Sequence, residues 1–113
     1  MAVWAEPRRL RAVETAPQAV SAVLRLEACA GADEELETLL RDLAAAVHAD
    51  EPDCLSYAPS RQIGSRAHFA VHVRFASMEA FNAHAETAHM DRLLPRIMAL
   101  LAAPVAMEIF LEL

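Results

Sequence analysis

Histidine is the side chain best suited to moving a proton near neutral pH, because its unperturbed pKa of about 6.5 can be shifted either way by modest changes of surroundings. The sequence holds five histidines and a single tyrosine. His84 and His89 fall in the stretch FNAHAETAHM with Thr87 between them. At about 100° per residue they flank an apolar helical stripe of Phe81, Ala85 and Ala88, one on each side, so either ring can reach beneath the helix. Two roles fit them equally: a base or substrate-orienting group, or a structural ring that fixes a helix break by bonding a carbonyl or carboxylate. Thr87 is of N-cap type and would place His89 in the first turn of a new segment, where the positive helix end favours a neutral ring.

Other reactive types carry less. The Tyr57 hydroxyl can orient a substrate oxygen, although a lone strand tyrosine is more often amphipathic packing. His68 and His72 are separated by roughly 13 Å along a strand, too far to share one ion without other ligands, and no metal site is expected. His48 lies on the polar side of a helix. Cys54 has no basic sequence neighbour to stabilise a thiolate and reads as a small buried hydrophobe. There is no glycine-rich phosphate loop and no Gly-x-Ser-x-Gly motif.

These residues sit on a regular alternation of elements. Val20, Ala22, Leu24 and Leu26 share one face of a strand and Ser21, Val23, Arg25 and Glu27 the other. Gly31 ends it, and Asp33 is a candidate cap for an amphipathic helix through Leu36, Leu39, Leu40, Leu43 and Val47 that Pro52 stops. Strands over 55–61 and 68–75 follow, joined by a short turn containing Gly64, with Phe69, Val71, Val73 and Phe75 on one face. Ser77 caps a helix carrying Met78 and Phe81, Thr87 a segment running towards Leu101 that Pro95 bends or restarts. The last strand sets Val105, Met107, Ile109 and Leu111 against Ala106, Glu108, Phe110 and Glu112. The predicted class is therefore α+β in the order β-α-β-β-α-β, a ferredoxin-like fold with a four-stranded antiparallel sheet and helices over the apolar face. The other face collects Arg25, Glu27, His68, His72, Arg74, Glu108 and Glu112, and is either solvated or packed on a second sheet.

At 113 residues the chain suits one domain over 19–113, preceded by an arm over 1–18 in which Trp4 is expected to dock on something. Ten arginines, no lysine and sixteen acids give a net charge of -6, which argues against nucleic acid or an anionic membrane as partner. Two cysteines without a CxxC spacing, no signal-type apolar run and no long apolar stretch together predict a cytoplasmic chain that does not span a membrane.

Two stretches, EPDCLSYAP at 51–59 and FASMEAFNAHAETAHM at 75–90, resemble the antibiotic biosynthesis monooxygenase family, including its quinol monooxygenase branch. In that family a Glu-Gly-Cys-x-x-Tyr-like segment opens the second strand and a His-x4-His pair follows the third. Two departures stand out: Asp53 replaces the usual Gly, and Val73-Arg74-Phe75 stands where Glu-x-Trp is usual. The resemblance covers about 19–113 and implies a homodimer in which two sheets close an α/β barrel. It implies oxidation of a small aromatic (quinol, phenol or polyketide-like ring) by O2 with no cofactor, His84 or His89 acting as base and Tyr57 as orienting group. Leu24, Leu26, Phe69, Val71, Val73, Phe75, Phe81 and Met90 would wall the pocket, although ordinary core is the stronger reading of such residues. The haem-degrading branch is disfavoured, since Leu24, Phe75 and Leu94 fall where its Asn, Trp and His ligand belong. A ligand-binding or stress protein on the same scaffold, and a cofactor-free isomerase or decarboxylase, are the alternatives.

Overall fold

The computed structural model describes residues 18–113, so the expectations for the arm and Trp4 lie outside the described residues. The elements are β1 (Val20–Glu27), α1 (Asp33–Asp50), β2 (Cys54–Arg61), β3 (His68–Phe75), α2 (Met78–His84), α3 (Ala88–Met98) and β4 (Ala106–Leu111). All pairings are antiparallel and the sheet order is β2-β3-β1-β4, the ferredoxin-like arrangement. The second helical region is two helices rather than one. Among the described residues no helix is long and apolar enough to cross a membrane.

Alternation decides which side of each strand is covered. Val20, Ala22, Leu26, Phe69, Val71, Val73 and Phe75 are buried beneath the helices, as the period of two requires. The α1 residues Leu36, Leu39, Leu40, Leu43 and Val47 are buried against them, each contributing roughly 1.5–3 kcal/mol by leaving water. Gly31 and Gly64 take positive φ at the two turns flanking this unit, as expected of residues without a Cβ.

Asp33 does not cap α1. The N-cap position is Ala32, with no side-chain cap, and Asp33 begins the helix and pairs with Arg61 at 3.3 Å and Arg66 at 3.6 Å. Arg61 also binds Glu37 at 2.8 Å and lies over the Phe69 ring at 4.5 Å, so one guanidinium ties the start of α1 to the end of β2. A register shift at the start of β2 leaves Leu55 unpaired and half exposed.

The edge strand β4 departs from its pattern. Met107 and Phe110, on opposite faces, are each about half exposed: the helices pack chiefly on β2 and β3 and leave Met107 partly uncovered, while Phe110 lies on the outer face. On the outer face the charges pair within the sheet: Arg25 with Glu108, and Arg74 with both Glu112 oxygens at 2.8 Å. That fork holds the Glu112 carboxyl below the usual carboxylate range.

Candidate active site

The end of α1 and the break between α2 and α3 meet at the Cys54 end of β2. Ser77 accepts a bond from Ala80 N and starts α2, which runs only to His84. The Thr87 hydroxyl then donates to the His84 carbonyl at 2.9 Å and accepts from Met90 N at 3.4 Å, closing one helix and opening the next. The break re-aims the two histidines. They are the buried residues, while Ala85 and Ala88, expected on the buried stripe, are exposed.

Both rings converge on Glu51, the residue that follows α1. His84 Nδ1 lies 2.8 Å and His89 Nε2 2.5 Å from the same oxygen, Glu51 Oε2. All three side chains are at least about nine-tenths buried, at 11, 4 and 10% exposure for His84, His89 and Glu51. An ionised carboxylate only accepts hydrogen bonds, so each ring nitrogen facing it is a donor. In neutral His84 the proton therefore sits on Nδ1 and Nε2 is left with its lone pair. His89 turns its other nitrogen towards Asp50, whose carboxylate is 3.8 Å away and well exposed.

An apolar cavity of about 220 Å³ lies between the sheet and the helices, lined by Tyr57, Val71, Val73, Phe75, Phe81 and His84 among others. Leu24, Leu26 and Met90 also line it. His84 borders this cavity while its Nδ1 is turned to Glu51, which puts Nε2 on the cavity side. Neither Nε2 nor the Tyr57 hydroxyl bonds another described residue, and among the described residues no buried side-chain polar atom lacks a partner, so both atoms are open to solvent or ligand. The Tyr57 and His84 rings are 5.6 Å apart, and Phe75 packs on His84 at 5.3 Å and edge-on against Phe81 at 5.7 Å. Burial, reinforced by the charges of Cys54 and Glu51, pushes the Tyr57 phenol well above its ordinary range, so it stays a proton donor.

Phe69 is not brought to this cavity. It lies six residues from Phe75, roughly 20 Å along the strand, beneath Arg61. There it borders a larger groove of about 480 Å³ at the far end of the sheet, with Arg25, Arg61 and His68. Several polar groups of that groove bond their neighbours: Arg25 to Glu108, Arg61 to Asp33 and Glu37, His68 to Ser65. Cys54 donates its thiol to the Ser56 carbonyl and burial raises its pKa, away from nucleophilic use.

Glu51 was not among the residues that sequence reasoning singled out. Its signal was its place in EPDCLSYAP, directly after a helix and before a strand, although its partners stand 33 and 38 residues further along the chain. Glu51, His84 and His89 present one ligand atom each within 4.8 Å of one another, a two-imidazole, one-carboxylate donor set of the kind first-row metals accept. Sequence reasoning weighed only His68 and His72 for that role.

The sequence profile described as antibiotic biosynthesis monooxygenase matches residues 19–95. Solved structures share the fold. A Caulobacter crescentus protein named as a candidate antibiotic biosynthesis monooxygenase is 25% identical, with a TM-score of 0.81 over 91% of this chain and 98% of that one. A Pseudomonas aeruginosa protein is also 25% identical, with a TM-score of 0.77 over 85% and 95%. A Nitrosomonas europaea protein, again named as a candidate antibiotic biosynthesis monooxygenase, is 16% identical, with a TM-score of 0.80 over 85% and 91%. No curated protein matches the chain in sequence.

Proposed function

The chain belongs to the antibiotic biosynthesis monooxygenase family, and from that premise we propose that it oxidises a small electron-rich aromatic, a quinol or related phenol, with O2. The observation that carries the reading is His84: one nitrogen is fixed by a buried carboxylate and the other faces an apolar cavity beside a free tyrosine hydroxyl. The carboxylate selects the tautomer and favours the imidazolium that forms when Nε2 takes a proton. Tyr57 donates a hydrogen bond to the substrate oxygen as that oxygen becomes anionic.

The chemistry is read as cofactor-free, because the substrate supplies every electron that oxygen takes. The deprotonated quinol passes an electron to O2, and the resulting radical and superoxide combine at a ring carbon to give a hydroperoxide. Loss of water then leaves a hydroxyquinone, so one quinol and one O2 become one hydroxyquinone and one water. A ring bound among these apolar walls would displace water from around the reactive anion. The cavity of about 220 Å³ suits one or two rings, given that a cavity of about 150 Å³ takes benzene.

The same proposal includes a homodimer formed through the outer sheet face, where half-exposed Phe110 interrupts the charges, and residence in a reducing cytoplasm, where free Cys29 and Cys54 persist. Oxygen uptake by the purified protein across a panel of one- and two-ring quinols and an anthrone tests the activity. His84→Ala is expected to lower kcat by roughly 100- to 10,000-fold with the fold intact. Ligand-induced thermal stabilisation without oxygen uptake would favour a binding protein instead, and anaerobic conversion an isomerase.

A further inference from the structure

Three separate segments bring Glu51, His84 and His89 together: the residue after α1, the end of α2 and the first turn of α3. Each presents one ligand atom, and the three atoms lie within 4.8 Å of one another. Lone pairs that converge in this way are what a metal ion requires. Two imidazole nitrogens with one carboxylate oxygen suit zinc and its first-row neighbours rather than magnesium or calcium, which prefer oxygen shells. The helix break that Thr87 enforces sets the two rings in place before any ion arrives.

Two further observations point to a cation. A surface cleft of about 220 Å³ is bordered by Glu51 and lined by Asp50 and Asp53, with no basic residue among those that line it, so its field draws positive charge inward. His89, whose Nε2 is turned to Glu51, points Nδ1 towards the Asp50 carboxylate 3.8 Å away, a gap that the exposed Asp50 side chain can close by rotation. A metal-bound imidazole ordinarily has such a carboxylate on its second nitrogen.

We propose that Glu51, His84 and His89 form a binding site for a divalent first-row metal ion, zinc foremost, filled from the acidic cleft. Each ring stays neutral, giving the lone pair of the nitrogen that faces Glu51 and carrying its proton on the other, Nε2 in His84 and Nδ1 in His89. Tetrahedral zinc with bonds of about 2.1 Å holds its ligands about 3.4 Å apart. The two nitrogens stand 2.8 and 2.5 Å from Glu51 Oε2, so the carboxylate must withdraw by less than about 1 Å, and the cleft beside it gives room. The fourth position is left to water, as in zinc sites with three protein ligands. Occupancy has a consequence for the oxidation proposed above, and this consequence alone rests on that reading. With zinc on Nδ1, His84 carries its proton on the cavity side and presents a donor where the oxidation needs an acceptor. Metal binding and the use of His84 as a base exclude each other, so the ion acts as a brake.

Calorimetric titration of the untagged, metal-stripped full-length protein with zinc tests the site without substrate. One zinc per chain is expected, with a Kd of roughly 1 μM or tighter, and no comparable binding of magnesium. Ring-nitrogen NMR of the same samples is expected to show the His84 and His89 signals moving on zinc addition while those of His48, His68 and His72 stay in place. Glu51→Gln and His89→Gln are expected to weaken zinc binding by roughly 100-fold or more, and Asp50→Ala, which keeps all three ligands, by roughly tenfold with an unchanged melting temperature. A parent that binds no zinc at this level, or zinc that moves the other histidines instead, overturns the proposal even where the ligand variants do not fold. So does parent-like affinity in folded Glu51→Gln. Quinol-dependent oxygen uptake is expected to stop in the zinc-loaded protein, and uptake that continues at the full rate overturns the brake. No uptake by the metal-free protein overturns the oxidation and leaves the metal site standing.

Discussion

Glu51 holds two imidazoles on one oxygen, and the arrangement assigns each ring a different task. His84 faces the cavity and can act on a ligand, whereas His89 is spent on the carboxylate. Their equal standing in the sequence reflects how little spacing alone says: two rings five residues apart look alike until the third group is in place. Tyr57 belongs to the same cluster and makes a prediction of its own. With its folded-state pKa raised above the ordinary value of about 10, the unfolded chain ionises first as pH rises. The folded state then binds more protons than the unfolded state. Stability is complete below about pH 10 and falls as pH climbs beyond it. Urea unfolding between about pH 9 and 11 should show this slope in the parent, and Tyr57→Phe should flatten it.

At the scale of elements, the break between α2 and α3 makes the site. On one continuous helix, residues five apart point about 140° away from each other, and His84 and His89 could not share an oxygen. Thr87 enforces the break by bonding backward to His84 and forward to Met90. Thr87→Ala is expected to cost about 1 kcal/mol, seen as a melting point lower by about 4–8 °C, with Thr87→Ser restoring most of it. Both caps, Ser77 and Thr87, were legible because hydroxyl residues ahead of an apolar run have a local mechanism. The strand faces were legible for a similar reason, since a period of two leaves only one way to bury Phe69, Val71, Val73 and Phe75. Asp33 misled because two arginines compete for its carboxylate, and neither is near it in sequence. Glu51 and the exposed Met107 were illegible on the same ground: each depends on what distant elements do or fail to cover.

Across the whole molecule, the sheet divides two surfaces with different roles. One faces the helices and the cavity. The other carries paired charges with Phe110 half exposed among them, and it is the face through which the proposed homodimer would form. Light scattering should find a dimer in the parent and a monomer in Phe110→Asp, which would place a carboxylate beside Glu108 and Glu112 at the contact. Among the described residues, Phe75 is the one aromatic side chain that borders both the apolar cavity and a surface cleft of about 220 Å³ lined by Asp50, Glu51, Asp53 and Thr87. Its ring is fully buried, edge-on to Phe81 and tilted against His84. Phe75 is therefore the side chain that the two spaces share as wall. A smaller side chain there would turn two chambers into a continuous tunnel, and superoxide formed beside the substrate could drain outward before it recombined. Under the proposed oxidation, the bulk of residue 75 would decide whether oxygen ends up in the product or escapes as a toxic by-product.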